Sequence, residues 1–164
     1  MAEEDQLQTS RGNRNRLESD YADLKSNFAN DPEIDIQGIG PAPYNKYMIV
    51  YKVPSLRLTS QNVPRIVTQT VVEISLPSVY PKVAPVARTI AGDVVFHPNF
   101  NANKICLTDD WSPAIKLVDL VLEISDLLQW RKFNVHDPLN AEAVVWSESH
   151  MNELPLTNSG KHAQ

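Results

Sequence analysis

The feature that most limits the fold is a series of four strand-like segments with no helical stretch between them. They cover residues 34–39, 47–53, 66–76 and 86–90. Each is rich in β-branched or aromatic residues and is bounded by Pro, Gly or Asn. Parallel strands need long crossover connections, so the short spacing predicts an antiparallel meander.

Apolar residues at helical spacing flank these segments. Leu17, Tyr21, Leu24 and Phe28 recur at steps of four, three and four, which predicts a helix over 14–30. A second helix is predicted over 114–130, and its broad apolar face suits the core side of the sheet.

A third, shorter helix is predicted over 139–148, after Asp137-Pro138. The predicted fold class is therefore α+β, with an N-terminal helix, a four-stranded antiparallel meander, a core helix and a short C-terminal helix. The length of 164 residues suits a single hydrophobic core. We predict a flexible N-terminal tail over 1–13, one domain over 14–150 and a C-terminal tail over 151–164.

Composition argues against several classes of function. The net charge of -5 provides no general attraction to nucleic acid or to anionic membranes. No run approaches the ~20 apolar residues of a membrane span, and the acidic N-terminus is unlike an export signal. One cysteine excludes an internal disulfide and disfavours a zinc site. We therefore expect a cytoplasmic protein without a metal ion or other cofactor, and without nucleic-acid or membrane partners.

Five short motifs follow the third predicted strand in a fixed order. They are Leu76-Pro77-Ser78-Val79-Tyr80-Pro81, Phe96-His97-Pro98-Asn99-Phe100-Asn101, Ile105-Cys106-Leu107, Trp111-Ser112-Pro113-Ala114, and Asn134 with Asp137-Pro138-Leu139-Asn140. This series closely resembles the ubiquitin-conjugating enzymes, whose hallmark is a His-Pro-Asn triplet shortly before the catalytic cysteine. The resemblance covers residues 14–149 approximately.

The resemblance implies that Cys106 accepts a ubiquitin-like protein from an activating enzyme as a thioester and passes it to a lysine amine of a target protein. Cysteine suits this task, because a thiolate attacks an acyl thioester and the new thioester reacts with amines. The alternative for a lone cysteine is a buried, inert thiol. Polar neighbours favour an exposed loop instead; they are Asn101, Asn103, Lys104, Asp109 and Asp110.

The resemblance also implies roles for the triplet. Asn99 matches the asparagine assigned to stabilising the oxyanion that forms when an amine attacks the thioester. Its side chain can alternatively hold the loop by bonding to the backbone, and both can be true. His97 is expected to support the loop rather than act as a base, with Pro98 fixing the adjacent turn.

Asp137 matches the acidic residue that in this family helps to orient and deprotonate the incoming lysine. Its position before Pro138 also suits an ordinary helix start. Asp109 and Asp110 are rival candidates for the acidic role.

Two loops match those that conjugating enzymes present to activating enzymes and ligases, and basic residues of the first helix match contacts to the activating enzyme. The predicted partner-binding residues are Leu76, Pro77, Trp111, Ser112, Pro113, Ala114, Arg14, Arg16 and Lys25. For the arginines the alternative is a solvated start of the helix.

The chain departs from the usual eukaryotic pattern in a short segment between Cys106 and Trp111 and in Ala84, which replaces a proline. These departures leave ligase binding open and resemble prokaryotic relatives, some of which serve in antiphage defence. One alternative function is a non-catalytic ubiquitin-like-binding module of the same fold. Another is a redox-sensing thiol protein, which usually needs a resolving cysteine that this chain lacks.

Overall fold

The protein is built on a four-stranded antiparallel sheet. The computed structural model describes residues 2–90, 92, 94–107 and 110–155. The strands, in spatial order, are β1 (Ile34–Gly38), β2 (Lys46–Tyr51), β5 (Thr70–Ser75) and β6 (Val86–Thr89). The predicted antiparallel meander is thereby confirmed. Between β2 and β5 the chain forms a separate antiparallel pair of strands, β3 (Ser55–Leu58) and β4 (Pro64–Val67).

Three α-helices in the described part of the chain complete the architecture: α1 (Ala2–Phe28), α2 (Leu117–Leu128) and α3 (Ala141–Glu148). Helix α2 is the predicted core helix, because eight of its twelve residues are buried. Tyr51 at the end of β2 donates a hydrogen bond from its hydroxyl to the carbonyl of Val121, 2.8 Å away, which joins the sheet to α2. Helix α1 packs against α2 and β1.

The core forms where alternate strand residues meet the helices. Tyr47 and Ile49 of β2 pair in register with Ile74 and Val72 of β5, and all four are completely buried. Period-two alternation places such residues on one face of the sheet, which is the face that α2 covers. The predicted apolar face of α1 is also confirmed, because Leu17, Leu24 and Phe28 are buried and Tyr21 packs against the same cluster.

The predicted third strand, 66–76, is two strands in the structure. Its first part lies in β4 and pairs with β3, whereas its second part, β5, pairs with β2 and β6. The hydroxyls of Ser55 and Thr70 lie 3.1 Å apart in the buried junction. The break contains no proline or glycine, so sequence pattern alone does not reveal it.

Helix boundaries also differ from the prediction. Helix α1 begins at Ala2 rather than at Arg14. The segment before Arg14 lacks apolar periodicity. It contains Ala, Glu, Gln and Leu, which have high intrinsic helix propensity even where no apolar face is present. Helix α2 begins three residues later than predicted, and α3 begins at Ala141 because Asn140 caps it, accepting a hydrogen bond from Ala143 N–H.

The predicted C-terminal tail is described only as far as residue 155, and it starts with a single 3₁₀ turn, Met151–Glu153. Within the described ranges, no helix combines the length and the apolar character that a membrane crossing requires. The proposed domain limits stay a prediction.

Candidate active site

Cys106 lies at the end of a short loop that is tied to the sheet edge. Phe100 and Ile105 form an isolated antiparallel bridge, and the Ile105 N–H donates to the Ala87 carbonyl of β6, 2.8 Å away. The Cys106 N–H in turn donates to the Asn99 carbonyl at 2.8 Å. The side chain of Cys106 is half-buried, which agrees with the expectation that its thiol is reachable.

The thiol borders a groove of about 250 Å³. The groove lies between the loop that ends at Cys106 (the cysteine loop), helix α2 and the connection from α2 to α3. The lining residues are Asn99, Cys106, Leu107, Asp110, Glu123, Leu127, Lys132, Phe133 and Asn134. Three of them carry charge, two of these being acidic and one basic. The remaining walls mix amide and apolar side chains, so the thiol faces both polar and apolar surface.

Asn99 clamps the cysteine loop to the α2–α3 connection. Its side-chain oxygen accepts a hydrogen bond from the Asn134 N–H at 2.8 Å, and its amide nitrogen donates to the Asn134 carbonyl at 3.0 Å. The residue is 3% exposed. The loop-holding alternative for Asn99 is therefore present in the structure. An amide NH₂ has two hydrogens, so one donor remains beyond this clamp.

His97 is a buried, neutral support beneath the same clamp. Its Nδ1 accepts from the Asn99 N–H at 2.9 Å, and its Nε2 lies 3.0 Å from the Lys132 carbonyl, to which it must donate. These partners specify the Nε2–H tautomer. Burial lowers the pKa of His97 to about 4, and the bond to Lys132 only partly opposes this. Both ring nitrogens are occupied, so no lone pair faces the groove.

Asp137 lies at the turn that leads into α3. It is exposed, and its backbone is in the left-handed region with φ +47°, which Asp tolerates better than most residues. Pro98 holds this turn, because its carbonyl accepts from Leu139 N–H and Asn140 N–H at 2.8 and 3.1 Å. Since Asn140 provides the helix cap, the helix-start alternative does not account for Asp137.

The rival acidic residues have different positions. Asp110 is exposed and lines the groove that Cys106 borders, whereas Asp137 does not. Asp109 lies outside the described residues. The groove therefore has its own carboxylates, Asp110 and Glu123, and Asp137 is not among its lining residues.

The two predicted docking loops lie beside each other. The Trp111 indole N–H donates to the Pro81 carbonyl at 2.8 Å, and the Trp111 and Tyr80 rings are 6.0 Å apart. Tyr80 N–H donates to Pro77, which closes the first loop. Ser112, Pro113 and Ala114 are exposed.

Leu76 departs from its predicted partner-binding position. It is 5% exposed and belongs to the core, so it cannot offer a surface contact. Pro77 is half-buried, and the exposed apolar residue of this loop is Val79, which is 50% exposed. A leucine at the end of a strand can be either a core residue or a partner-binding residue, and the sequence does not distinguish these two roles.

Arg16 also departs from its prediction, because intramolecular contacts occupy its guanidinium. It pairs with the Asp20 carboxylate at 3.0 Å, donates to the carbonyls of Pro113 and Ile115, and covers the Tyr80 ring. Its task here is to hold the second docking loop. Arg14 and Lys25, by contrast, are exposed on α1.

The sequence motifs include Asn134 of the α2–α3 connection, but they do not show what this connection contacts. Asn134 and Lys132 hold Asn99 and His97 through backbone atoms, which any residue type can supply, so no residue pattern could indicate the contact. Across the part of the chain that the structure describes, no three His, Cys, Asp or Glu side chains gather as metal ligands would.

The neutral state of His97 predicts a pH-dependent stability. Its pKa is lower in the folded protein than the unfolded value of 6.5, so the unfolded chain takes up the proton first as the pH falls. The contribution is complete above pH 6.5 and is lost toward pH 4. Between pH 7 and 5 the free energy of unfolding should fall by about 2 kcal/mol from this group alone.

Urea unfolding at several pH values measures this change. His97→Gln should remove the slope between pH 7 and 5, whereas His136→Gln, at an exposed histidine, should keep it. An equal slope in wild type and His97→Gln would contradict a buried neutral His97.

Comparisons with known proteins agree with this arrangement. A family model described as "Ubiquitin-conjugating enzyme" matches residues 69–155, which is more than half of the chain. The match includes β5, the cysteine loop, α2 and α3.

Curated relatives carry the same description. The chain is 35% identical over 82 residues to Ubiquitin-conjugating enzyme E2 13 of Schizosaccharomyces pombe, covering 47% of this chain and 53% of the relative. It is 39% identical over 79 residues to Ubiquitin-conjugating enzyme E2 N of Drosophila melanogaster, covering 45% and 50%. The corresponding values for Ubiquitin-conjugating enzyme E2 N of Macaca fascicularis are 38%, 45% and 49%.

The aligned part of the chain thus spans about half the length of these curated relatives. The family model by itself covers the cysteine, the triplet and both helices that follow. On this match, the chain belongs to the ubiquitin-conjugating enzyme family.

Proposed function

We propose that the protein carries ubiquitin or a ubiquitin-like protein as a thioester on Cys106 and transfers it to a lysine amine. The observation that carries this proposal is the placement of a half-buried cysteine in an open groove that Asn99 also lines. In the first step the Cys106 thiolate attacks the thioester of a charged activating enzyme, and the enzyme's thiolate leaves. In the second step a lysine amine attacks the Cys106 thioester, and the Cys106 thiolate leaves.

Asn99 has a donor for the second step. One of its amide hydrogens is donated to the Asn134 carbonyl. The other is available to the acyl oxygen, which becomes negatively charged when the amine attacks. The clamp keeps this donor in place before the reaction, so no reorganisation is needed in the transition state. Losing one such donor costs about 2.7–4 kcal/mol in other enzymes.

An acidic residue is needed to orient the lysine and accept its proton, because lysine is almost wholly protonated at neutral pH. We assign this role to Asp137, whose exposed carboxylate lies on the turn that Pro98 fixes. Asp110 is the alternative, supported by its place in the groove wall.

The partners follow from the proposed reaction. They are the modifier, an activating enzyme and a protein with an acceptor lysine, and the exposed residues of the two adjoining loops and of α1 are the proposed docking surfaces. These are Ser78, Val79, Ser112, Pro113, Ala114, Arg14 and Lys25. A location in the cytoplasm is part of this proposal.

The short segment between Cys106 and Trp111 supports a narrower hypothesis, a bacterial conjugation system that acts against phage. The basis is the likeness of this loop to prokaryotic relatives, whereas the curated relatives named above are eukaryotic. The genes next to the coding sequence test it. Genes for a ubiquitin-like protein, an activating enzyme and a metal-dependent deconjugating protease would support it, and their absence would count against it.

Charging tests the proposed carrier role. Incubation with a ubiquitin-activating enzyme, ATP and ubiquitin should give one adduct that dithiothreitol removes, because thiols exchange with thioesters. Cys106→Ala should give none. Binding of ubiquitin without any such adduct would favour the alternative, a non-catalytic binding module.

Discharge tests the roles of Asn99 and the acidic residues. Asn99→Ala should slow the transfer of preformed thioester to free lysine on the order of 10²-fold while charging persists, because the oxyanion loses a donor. Asp137→Ala should also slow discharge. Asp110→Ala is its matched comparison and should have the smaller effect.

A single-turnover chase with free lysine measures these rates, and urea unfolding reports the stability lost with the clamp. If Asn99→Ala lowered charging and stability but discharged at the wild-type rate, Asn99 would be purely structural. A larger effect of Asp110→Ala than of Asp137→Ala would reverse their assignment.

A further inference from the structure

An ion pair forms one wall of the Cys106 groove and has no part in the proposed transfer. The Lys132 Nζ lies 2.7 Å from the Glu123 Oε1. Glu123 belongs to α2 and its side chain is 11% exposed, whereas the Lys132 side chain is 56% exposed. Both residues line the groove together with Cys106.

The backbone of Lys132 is fixed to the cysteine loop. Its carbonyl accepts the hydrogen bond from His97 Nε2–H, and two residues later Asn134 holds Asn99. The position of the Lys132 main chain relative to Cys106 is therefore set by two buried polar contacts. Its flexible four-carbon side chain is the part that can change direction.

Lys132 is the lysine among the groove-lining residues. Lys104 is closer to Cys106 in sequence, is exposed, and does not line the groove. A groove that admits a substrate lysine to the Cys106 thioester therefore has an amine of its own in its wall.

We infer that Lys132 is an internal acceptor site, to which the acyl group carried by Cys106 is transferred within one chain, and that Glu123 restrains this transfer. The inference rests on the proposed carrier function of Cys106. In the step, the neutral Lys132 amine attacks the thioester carbon, a C–N bond forms and the C–S bond breaks. The Cys106 thiolate leaves, and the amine proton passes to the nearby carboxylate or to water.

Glu123 restrains the step through the ion pair. An ammonium group directed at a carboxylate has no lone pair to offer to an acyl carbon, so Lys132 must leave Glu123 and lose a proton before it reacts. Because the Lys132 side chain is 56% exposed, water screens its attraction to Glu123 and the pair is weak. Removing the charge of Glu123 should therefore increase the rate of internal transfer by roughly two- to fivefold.

The experiment loads the full chain with ubiquitin that carries a C-terminal mercaptoethanesulfonate thioester, which exchanges onto Cys106 without an activating enzyme. The charged protein, freed of excess probe, is then incubated without any acceptor. A dithiothreitol-resistant product should accumulate, with the modified peptide at Lys132. Its first-order rate should be independent of protein concentration.

Four variants give the comparison. Lys132→Arg should abolish the product, whereas Lys104→Arg should retain it. Glu123→Gln should form it roughly two- to fivefold faster, and Glu142→Gln, at an exposed glutamate of α3, should match the wild type. Far-ultraviolet circular dichroism checks that each variant is folded.

Several results would overturn the inference. One is a thioester that decays only by hydrolysis, and another is a product on Lys104 or on an added uncharged Cys106→Ala chain. An unchanged rate in Glu123→Gln would reject the restraint. Failure of the proposed function is distinguishable, since it would appear as absence of the Cys106 adduct with activating enzyme and ATP.

Discussion

The position of Cys106 depends on two buried polar side chains, His97 and Asn99, that join the cysteine loop to the connection between α2 and α3. Together they make four hydrogen bonds, three of them to backbone atoms of Lys132 and Asn134. Leaving such a buried group without a partner costs about 1–3 kcal/mol. All four hydrogen bonds therefore form only when the cysteine loop and the α2–α3 connection are both in the positions seen here.

These hydrogen bonds explain how a loop that is neither helix nor strand can hold reactive side chains in fixed positions. The Asn99 carbonyl holds the Cys106 N–H, its side chain holds Asn134, and the Pro98 carbonyl holds the turn that bears Asp137. Two consecutive residues, Pro98 and Asn99, thereby position the proposed nucleophile, oxyanion donor and acidic residue relative to one another. A neutral His97 suits this task, because a charge at a fully buried site would be costly.

A second buried network supports the docking loops. Asp20 of α1 accepts from the Tyr80 hydroxyl and pairs with Arg16, which in turn holds the carbonyls of Pro113 and Ile115. Burial raises the pKa of the Asp20 carboxyl, although the bond from Tyr80 and the Arg16 charge oppose that shift. Helix α1 is thus coupled to the surface that is proposed to meet partners.

Much of this arrangement could be predicted from the sequence, because strand composition and helical spacing report burial. The order of strands and the apolar faces of α1 and α2 follow from that signal. The break between β4 and β5 did not, since pairing partners are chosen by tertiary contacts. Loop-holding roles were predicted for His97 and Asn99, but their partners in the α2–α3 connection were not, and the Arg16 contacts were missed for the same reason. These contacts use backbone groups, which residue type does not specify.

Mapping the adduct on the charged protein shows whether Cys106 carries the acyl group. Protein charged with ubiquitin-activating enzyme, ATP and ubiquitin is quenched in acid, weighed intact and digested with pepsin, which works at a pH where thioesters persist. The account predicts one ubiquitin per chain, attached through the peptide that contains Cys106 and released by hydroxylamine. A hydroxylamine-resistant adduct on a lysine, with the Cys106 thiol still free to alkylate throughout charging, would contradict it.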